Sequence, residues 1–553
     1  MPTLQFKGKN IIRNHHLSVP YHTLEEVEKL HFQPEKPNGN IIIEGDNLLA
    51  LKALLPQYGG KVKCIYIDPP YNTGNEGWIY NDNVNSPLLK EWLGKEVGKD
   101  DLTRHDKWFC MMVPRLKILR ELLADDGAIF ISLDDNEMSS SRLLLNEIFG
   151  EENFVGQISV LCNPKGRSQD KYFATNHEYI LVYSRNVLPK GYFSIEKDEE
   201  QIDIEYTEED ELGKYRLLEL RNTHREFGKH NRKNLYYPFY VNTEDGSLSL
   251  IKDNGTKEVY PIWDDGYEGC WTWDTKKADS DIDLLVAQNI KGKWKIYRKS
   301  YANGAEKMLK TIFIDKSFHT DKGQKVFNSL FNVKGKLFNA PKSVELIRTI
   351  IGISTKEKDI ILDSFAGSGT TMQAVMEMNK VDGGNRKCIL VQMTEATEID
   401  PKKNICKDIT RERVKRAIDK YGYSTGFQYY KIGIPIDAET LLSGKLPTYQ
   451  QFAEYIYYLC TGENVKNKSF INEKSYYVGD YGNTVVYLVY KQNFDELTHL
   501  ALNQELSEQL IAEHPKKKLV VYAPACFLEE DYMREKNIEF VGIPYNLFQK
   551  AEA

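Results

Sequence analysis

CIYIDPPYN, residues 64–72, opens as an apolar strand and closes in a turn stiffened by two prolines. Such a strand delivers Asp68, Pro69, Pro70 and Tyr71 together to its end. The carboxylate of Asp68 can accept one hydrogen bond from the NH2 of a nucleobase. A backbone carbonyl held rigid by Pro69 and Pro70 can accept the other. Tyr71 offers a ring for a base to stack on. Two acceptors aimed at one amino group draw its nitrogen from planar towards tetrahedral, freeing a lone pair otherwise delocalised into the ring. The nucleophile is then the substrate's own nitrogen. An ordinary turn after a strand uses the same residue types, so the rest of the chain has to decide between the two.

Almost three hundred residues downstream lies DIILDSFAGSGTT, residues 359–371, an apolar strand running into a glycine-rich turn and a helix that begins near Thr370. Gly367 and Gly369 allow a tight turn and a close approach of backbone to ligand, and the helix N-terminus offers free N–H groups. A dinucleotide fingerprint wants a third glycine where Met372 stands, and a phosphate loop wants Gly-Lys-Ser/Thr, which is absent. The loop Asp363–Gly369 fits better the amino-acid end of S-adenosylmethionine, whose carboxylate and amine need N–H donors and a carboxylate. The next strand, Cys388 to Met393, leads to Glu395, an acid placed to take two ribose hydroxyls. Gln392 is a rival for that role.

With both motifs in view, the chain resembles the amino-methylating DNA methyltransferases of the beta arrangement, in which the catalytic half precedes the cofactor loop. IIIEGDNLLAL (41–51), RHDKWFCMMVPR (104–115), DGAIFISLDDNE (126–137) and FNAPKSVELIRTII (338–351) resemble, in the same order, the modification subunits of type III restriction-modification systems. The likeness runs from about Ile41 to about Tyr430. It implies transfer of a methyl group to adenine N6 in double-stranded DNA after the base is flipped out of the helix. Adenine is preferred over cytosine N4 because Asp-Pro-Pro-Tyr is the family's common adenine form. Asp68, Pro69, Pro70 and Tyr71 would be catalytic. Asp46, Asp363, Phe365, Ala366, Gly367, Ser368, Gly369, Thr370 and Glu395 would surround the cofactor, with Lys342 and Ser343 as further candidates. The resemblance also implies a homodimer and a restriction subunit with ATP-dependent translocase and nuclease activity as partner.

Composition bounds the rest. The 553 residues are 41% hydrophobic and 28% charged, as in a globular protein of several domains. No apolar run reaches membrane-spanning length and MPTLQFKGKN is no secretory signal, so a cytoplasmic protein is expected. Eight cysteines without Cys-x-x-Cys pairs imply reduced core residues and no metal site. The net charge of −7 requires any DNA-binding surface to be local. Alternating helices and strands predict an α/β fold: a doubly wound, mostly parallel sheet, circularly permuted, with an inserted target-recognition domain and a small C-terminal α/β domain. Helices are predicted over Asn47–Tyr58, Lys107–Ala124 with a kink or break near Pro114, Glu137–Phe149, Ser343–Ile351 and from Thr370 to Asn379. The expected segments are an N-terminal piece (1–40), a catalytic half (41–187), the recognition insertion (188–335), a cofactor half (336–421) and an assembly domain (422–553).

Within the insertion, KGKWKIYRKSY (291–301) mixes cations with rings as a phosphate-tracking strand does, and Lys293, Lys295 and Arg298 are the DNA candidates there. A solvated strand face has the same composition. Lys165, Arg167 and Lys171 are candidates for phosphate contact near the flipped base. Trp263, Trp271 and Trp273 read as core or interface, His177 as structural, His105 as not needed as a general base, and Asp134-Asp135 as no metal pair, since methyl transfer needs no cation. The basic helix 410–421, with Arg411, Arg413, Lys415 and Arg416, is expected along DNA or against acids of a partner chain. Alternatives are cytosine-N4 methylation, an RNA substrate, and a chain that serves chiefly as the recognition and assembly subunit of a restriction complex.

Overall fold

A computed structural model describes residues 3–35, 39–72, 103–166, 170–335, 337–396 and 400–543. Ten strands form its main sheet: β1 (His22–Glu26), β2 (Ile41–Glu44), β3 (Val62–Ile67), β4 (Leu123–Leu133), β5 (Phe154–Leu161), β6 (His177–Ser184), β7 (Ile312–Phe313), β8 (Ile360–Asp363), β9 (Lys387–Gln392) and β10 (Gln428–Pro435). Their spatial order is β1-β10-β2-β9-β8-β3-β4-β6-β5-β7. The block from β10 to β4 is parallel throughout. It is buried on both faces, which is why β2, β3 and β9 read as almost continuous apolar strings rather than alternating ones.

Helices cover both faces. Ile65, Ile67, Leu362 and Ile389 share a core with Leu48, Leu51 and Leu55 of helix Asn47–Tyr58 and with Met112, Leu116 and Leu119 of helix Arg104–Leu122. Each such fully buried side chain contributes about 1.5–3 kcal/mol. Helices Val344–Ser354 and Thr370–Asp382 pack against each other. Helix Arg104–Leu122 runs unbroken through Pro114. A proline removes a single intrahelical donor, and the neighbours Val113, Arg115 and Leu116 are all buried, so packing on the surrounding turns holds the helix together.

Three expected boundaries move. β10 pairs with β2 in the main sheet, so the sheet continues past residue 421. β1 pairs antiparallel with β10, which brings the N-terminal segment into the same sheet. Residues 193–309 form a compact unit of their own, whereas β7 and helix Thr320–Phe331, both expected in the insertion, belong with the main sheet. Polarity is the sequence signal for the insertion, and this helix is polar on its exposed side only, burying Phe327 and Leu330.

Beyond β10, helix Tyr449–Thr461 buries Phe452, Tyr455 and Ile456 in the main core, and Asn464 Nδ2 donates to Leu55 O at 2.9 Å. A second sheet follows, ordered Tyr477–Tyr481, Thr484–Leu488, Lys518–Ala523, Ile538–Gly542. All eight cysteines are free. Among the described residues no helix is long and apolar enough to cross a membrane.

Helix Thr320–Phe331 also sets the backbone position of Lys342. A Cβ on Gly323 would lie 2.2 Å from Pro341 O and 2.6 Å from Lys342 O. Gly323→Ala is therefore expected to lower stability by about 1–3 kcal/mol through overpacking, measured as a fall in Tm. An unchanged Tm would mean that the two segments are not in close contact.

Candidate active site

Parallel strands end at one edge of a sheet, and ligands of such sheets bind outside that edge. Here β8 and β3 are direct neighbours with Leu362 opposite Ile65, so the residues that follow each strand emerge side by side. Because β6 runs antiparallel to β4, its first residues, His177 and Glu178, start at the same edge. The cleft they surround has a volume of about 1090 Å³ and is lined by Asp46, Asp68–Tyr71, Glu178, Lys342, Asp363–Ser368, Thr370, Gln392 and Glu395, among others.

Asp68 stands directly after β3 with Lys342 Nζ 3.3 Å from its Oδ1. The same ammonium is 2.7 Å from Glu178 Oε2 and hydrogen-bonds the Tyr71 hydroxyl, which in turn donates to Glu178 Oε2 at 3.0 Å. Burial pushes the Asp68 carboxyl above its ordinary range; Lys342 opposes that shift and Glu178 adds to it. Burial would depress the Lys342 ammonium, but the two carboxylates outweigh it and raise its pKa. Trp108 Nε1 donates to Pro70 O at 2.7 Å and pins the diproline turn. Asn72, which ends the motif at φ 59°, donates to Glu137 at 2.5 Å, and His105 Nδ1 lies 2.6 Å from the same oxygen. His105 is thus directed to Glu137.

The loop after β8 is organised from within. Asp363 Oδ1 accepts from Phe365 N at 3.0 Å and its Oδ2 accepts from Thr371 Oγ1 at 2.5 Å. Burial pushes its carboxyl up to about 7. Gly367 and Gly369 have φ of +50° and +80°, values that strain any residue with a side chain. A Cβ at Gly369 would also lie 3.1 Å from Thr410 O. Gln392 Oε1 accepts from Gly367 N at 2.7 Å while its Nε2 donates to Glu395 at 3.1 Å, so the two rivals for one role are joined into a single bridge from β9 to the loop.

Several expected residues have structural contacts of their own. Ser343 caps helix Val344–Ser354 and donates to Ser317 O at 2.6 Å, and it does not line the cleft. Lys342 serves the Asp68 cluster. Asp46 lines the cleft while capping helix Asn47–Tyr58 through Leu48 N at 2.8 Å, with Arg115 3.4 Å away. Arg413, on the helix expected along DNA or against acids of a partner chain, is wholly buried behind the loop. It donates to Ser368 Oγ at 2.7 Å, to Thr370 Oγ1 and to Gln373 Oε1 at 3.1 Å, and burial lowers its pKa to about 9. Arg411 Nε donates to Leu30 O, and Arg416 pairs with Glu412. The site roles of Glu178 and Arg413 are not apparent from the sequence motifs. A signal exists for Glu178, a lone acid at the head of an apolar strand.

Lys165 is exposed at the cleft rim, and Arg167 lies outside the described residues. In the compact unit 193–309, strand Lys293–Tyr301 is central in a four-stranded sheet. Ile296 is in that unit's core, with Trp294 packed against it. Strand alternation puts Arg298 on their face and Lys293, Lys295 and Tyr297 on the other. The candidate cations therefore do not form one row. Lys293 pairs with Asp264 at 3.1 Å and Lys299 with Asp210 at 2.6 Å. Trp271 is core, donating to Tyr237 O.

Residues 62–419 match a family model described as DNA methylase, the N6/N4 methyltransferases. The chain is 35% identical over 449 residues to the type III restriction-modification enzyme EcoPI Mod subunit of Escherichia phage P1, covering 76% of this chain and 68% of that protein. It is 33% identical to the type II methyltransferase M.KpnI of Klebsiella pneumoniae, covering 74% and 94%, and 31% identical to the EcoP15I Mod subunit of Escherichia coli, covering 75% and 69%.

The charges around Asp68 generate paired expectations. Lys342→Met removes the cation that favours the carboxylate, so the acid limb of the turnover–pH profile is expected to move to higher pH. Glu178→Gln removes the opposing anion and is expected to move the limb to lower pH. Shifts of the same sign in both variants would contradict the electrostatic assignment.

Proposed function

The chain belongs to the DNA methylase family, and from that membership we propose that it transfers a methyl group from S-adenosylmethionine to N6 of an adenine extruded from duplex DNA. The observation that carries this reading is the emergence of Asp68 and the Asp363–Gly369 loop from neighbouring strands into one cleft. Asp68 and the Pro69 carbonyl each accept a hydrogen bond from the amino group, and Tyr71 stacks on the base. S-adenosylmethionine, when bound, supplies an electrophilic methyl group. The amino nitrogen forms its new bond to that carbon as the carbon–sulfur bond breaks, and the surplus proton leaves to Asp68 or water.

The fit of the loop to that cofactor rests on its shape: two glycines in left-handed conformation, an organised acid at Asp363 and the Gln392–Glu395 bridge beside it. Ser364–Ser368 would face the amino-acid end, Glu395 and Asp46 the nucleoside end, and Arg413 holds Ser368 and Thr370 from behind. Ligation of the cofactor's cationic amine near Asp363 would favour the carboxylate. Binding of S-adenosylmethionine is therefore expected to strengthen as pH rises through about 7, with Asp363→Asn abolishing the dependence in calorimetric titrations. A pH-independent affinity in the intact protein would place Asp363 away from the amine.

Lys165 is the DNA contact at the cleft rim in this reading, and Lys293, Lys295 and Arg298 remain candidates for target recognition in the inserted unit. Similarity to two type III Mod subunits supports a role as the modification subunit of such a system; a homodimeric assembly and a restriction subunit as partner are part of the same proposal. Adenine is favoured over cytosine N4 by the resemblance of Asp-Pro-Pro-Tyr. An assembly-only role is disfavoured by the intact set of Asp68, Tyr71, Glu178 and Lys342. The test is single-molecule sequencing of genomic DNA from a methylation-free host expressing the chain. N6-methyladenine at one short motif is expected, and Asp68→Ala is expected to cut turnover at least about a hundredfold while leaving cofactor binding intact. Methylated cytosine, or joint loss of turnover and cofactor binding in the variant, would overturn the assignment.

A further inference from the structure

β5 runs parallel to the central strands, so residues 162–166, which follow it, and residues 170–176, which lead into β6, lie at the same edge as the cleft. Its base is pinned. Cys162 N and Asn163 N both donate to Asn176 O, at 3.1 and 3.0 Å, and Thr320 N donates to Cys162 O at 3.0 Å. Asn163 Nδ2 donates to Gly166 O at 3.0 Å, and Thr175 N donates to Asp170 Oδ2 at 2.7 Å. The two legs are pressed together at Gly166, where a Cβ would lie 2.6 Å from Ala174 Cβ. Asn163, Lys165, Thr175 and His177 line the cleft itself.

Beyond this fixed base, Tyr172 and Phe173 project with 81% and 90% of their surface exposed, the two most exposed large hydrophobic side chains among the described residues. Lys171 lies with its ammonium 5.0 Å from the Tyr172 ring, and Lys165 is exposed on the other leg. Two adjacent rings left in water, one with an ammonium over it, above a base that lines the cleft holding Asp68, suit a partner with flat apolar faces and negative charge. Duplex nucleic acid has both, and a duplex from which one base has been extruded offers an unstacked gap next to the extruded base. We propose that Tyr172 and Phe173 enter the base stack at the position vacated by the target base, with Lys165 and Lys171 on the adjoining phosphates. This rests on the base-extruding reading given above. The rings act as positioning residues that stabilise the open duplex; they take no part in the bond changes.

The test uses the full chain and a duplex carrying the methylated motif with 2-aminopurine in place of the target adenine, whose fluorescence rises when it leaves the stack. The intact protein is expected to raise the signal. Tyr172→Ala/Phe173→Ala is expected to lose most of that rise and to lower kcat/KM on paired duplex about tenfold or more. Cofactor affinity should be unchanged, and activity should be largely recovered on a duplex in which the target is mismatched and already easy to extrude. Phe173→Trp keeps a ring and is expected to retain activity, with the emission of the introduced indole quenched on binding the motif duplex. A double variant that raises the 2-aminopurine signal as the intact protein does, or an indole emission in the Phe173→Trp variant that is indifferent to DNA, would overturn the wedge. Absence of any rise with the intact protein would instead overturn base extrusion itself.

Discussion

The pairing of β8 with β3, in parallel and with Leu362 opposite Ile65, is the constraint on which the site depends. It puts two carboxylates, Asp363 and Asp68, at neighbouring strand ends although the chain separates them by almost three hundred residues. Both carboxyls are pushed upward by burial, and each has its own relief. Asp363 is held by a backbone N–H and the Thr371 hydroxyl within its loop. Asp68 has the Lys342 ammonium, shared with Glu178 and Tyr71. The permuted chain order costs nothing in this geometry, since a parallel sheet fixes which edge a strand ends on and leaves the order of visits free.

Lys342 links the two halves. It stands just before helix Val344–Ser354, its carbonyl is approached by Thr370 Oγ1 at 3.5 Å, and its side chain reaches the Asp68–Tyr71 turn. Gly323 lets a neighbouring helix press on the backbone at that point. Arg413 plays a corresponding part behind the loop, where a buried guanidinium ties together the hydroxyls of Ser368 and Thr370 and the side-chain amide of Gln373. Both are cations whose work is interior, in a chain whose net charge of −7 gives no hint of them.

The legible part of this architecture is the part written locally. The helix over Asn47–Tyr58 coincides with its prediction, and the strand ends carrying Asp68 and Asp363 follow from apolar runs that stop at polar turns. What stays hidden is long-range. Nothing local tells that β10 returns to pair beside β2, because its sequence alternates like any edge strand. The basic helix reads as a surface for DNA or a partner chain because period alone does not say which face is inside, and Arg413 is on the buried one. The resemblance names Lys342 and Ser343 together as cofactor candidates; in the fold Ser343 caps a helix, while the Lys342 side chain reaches Tyr71. In the inserted unit the alternation of a strand splits the lysines from Arg298, a division visible in the sequence only once the strand is known.

The most direct measurement is a crystal structure of the chain with a non-reactive S-adenosylmethionine analogue. The amino-acid end should lie against Ser364–Ser368 beside Asp363, the ribose near Glu395, and the group that replaces the methyl should point at Asp68. An analogue whose amino-acid end sits in the Asp68, Glu178 and Lys342 cluster, or outside the cleft, would contradict the division of the site into two neighbouring strand ends.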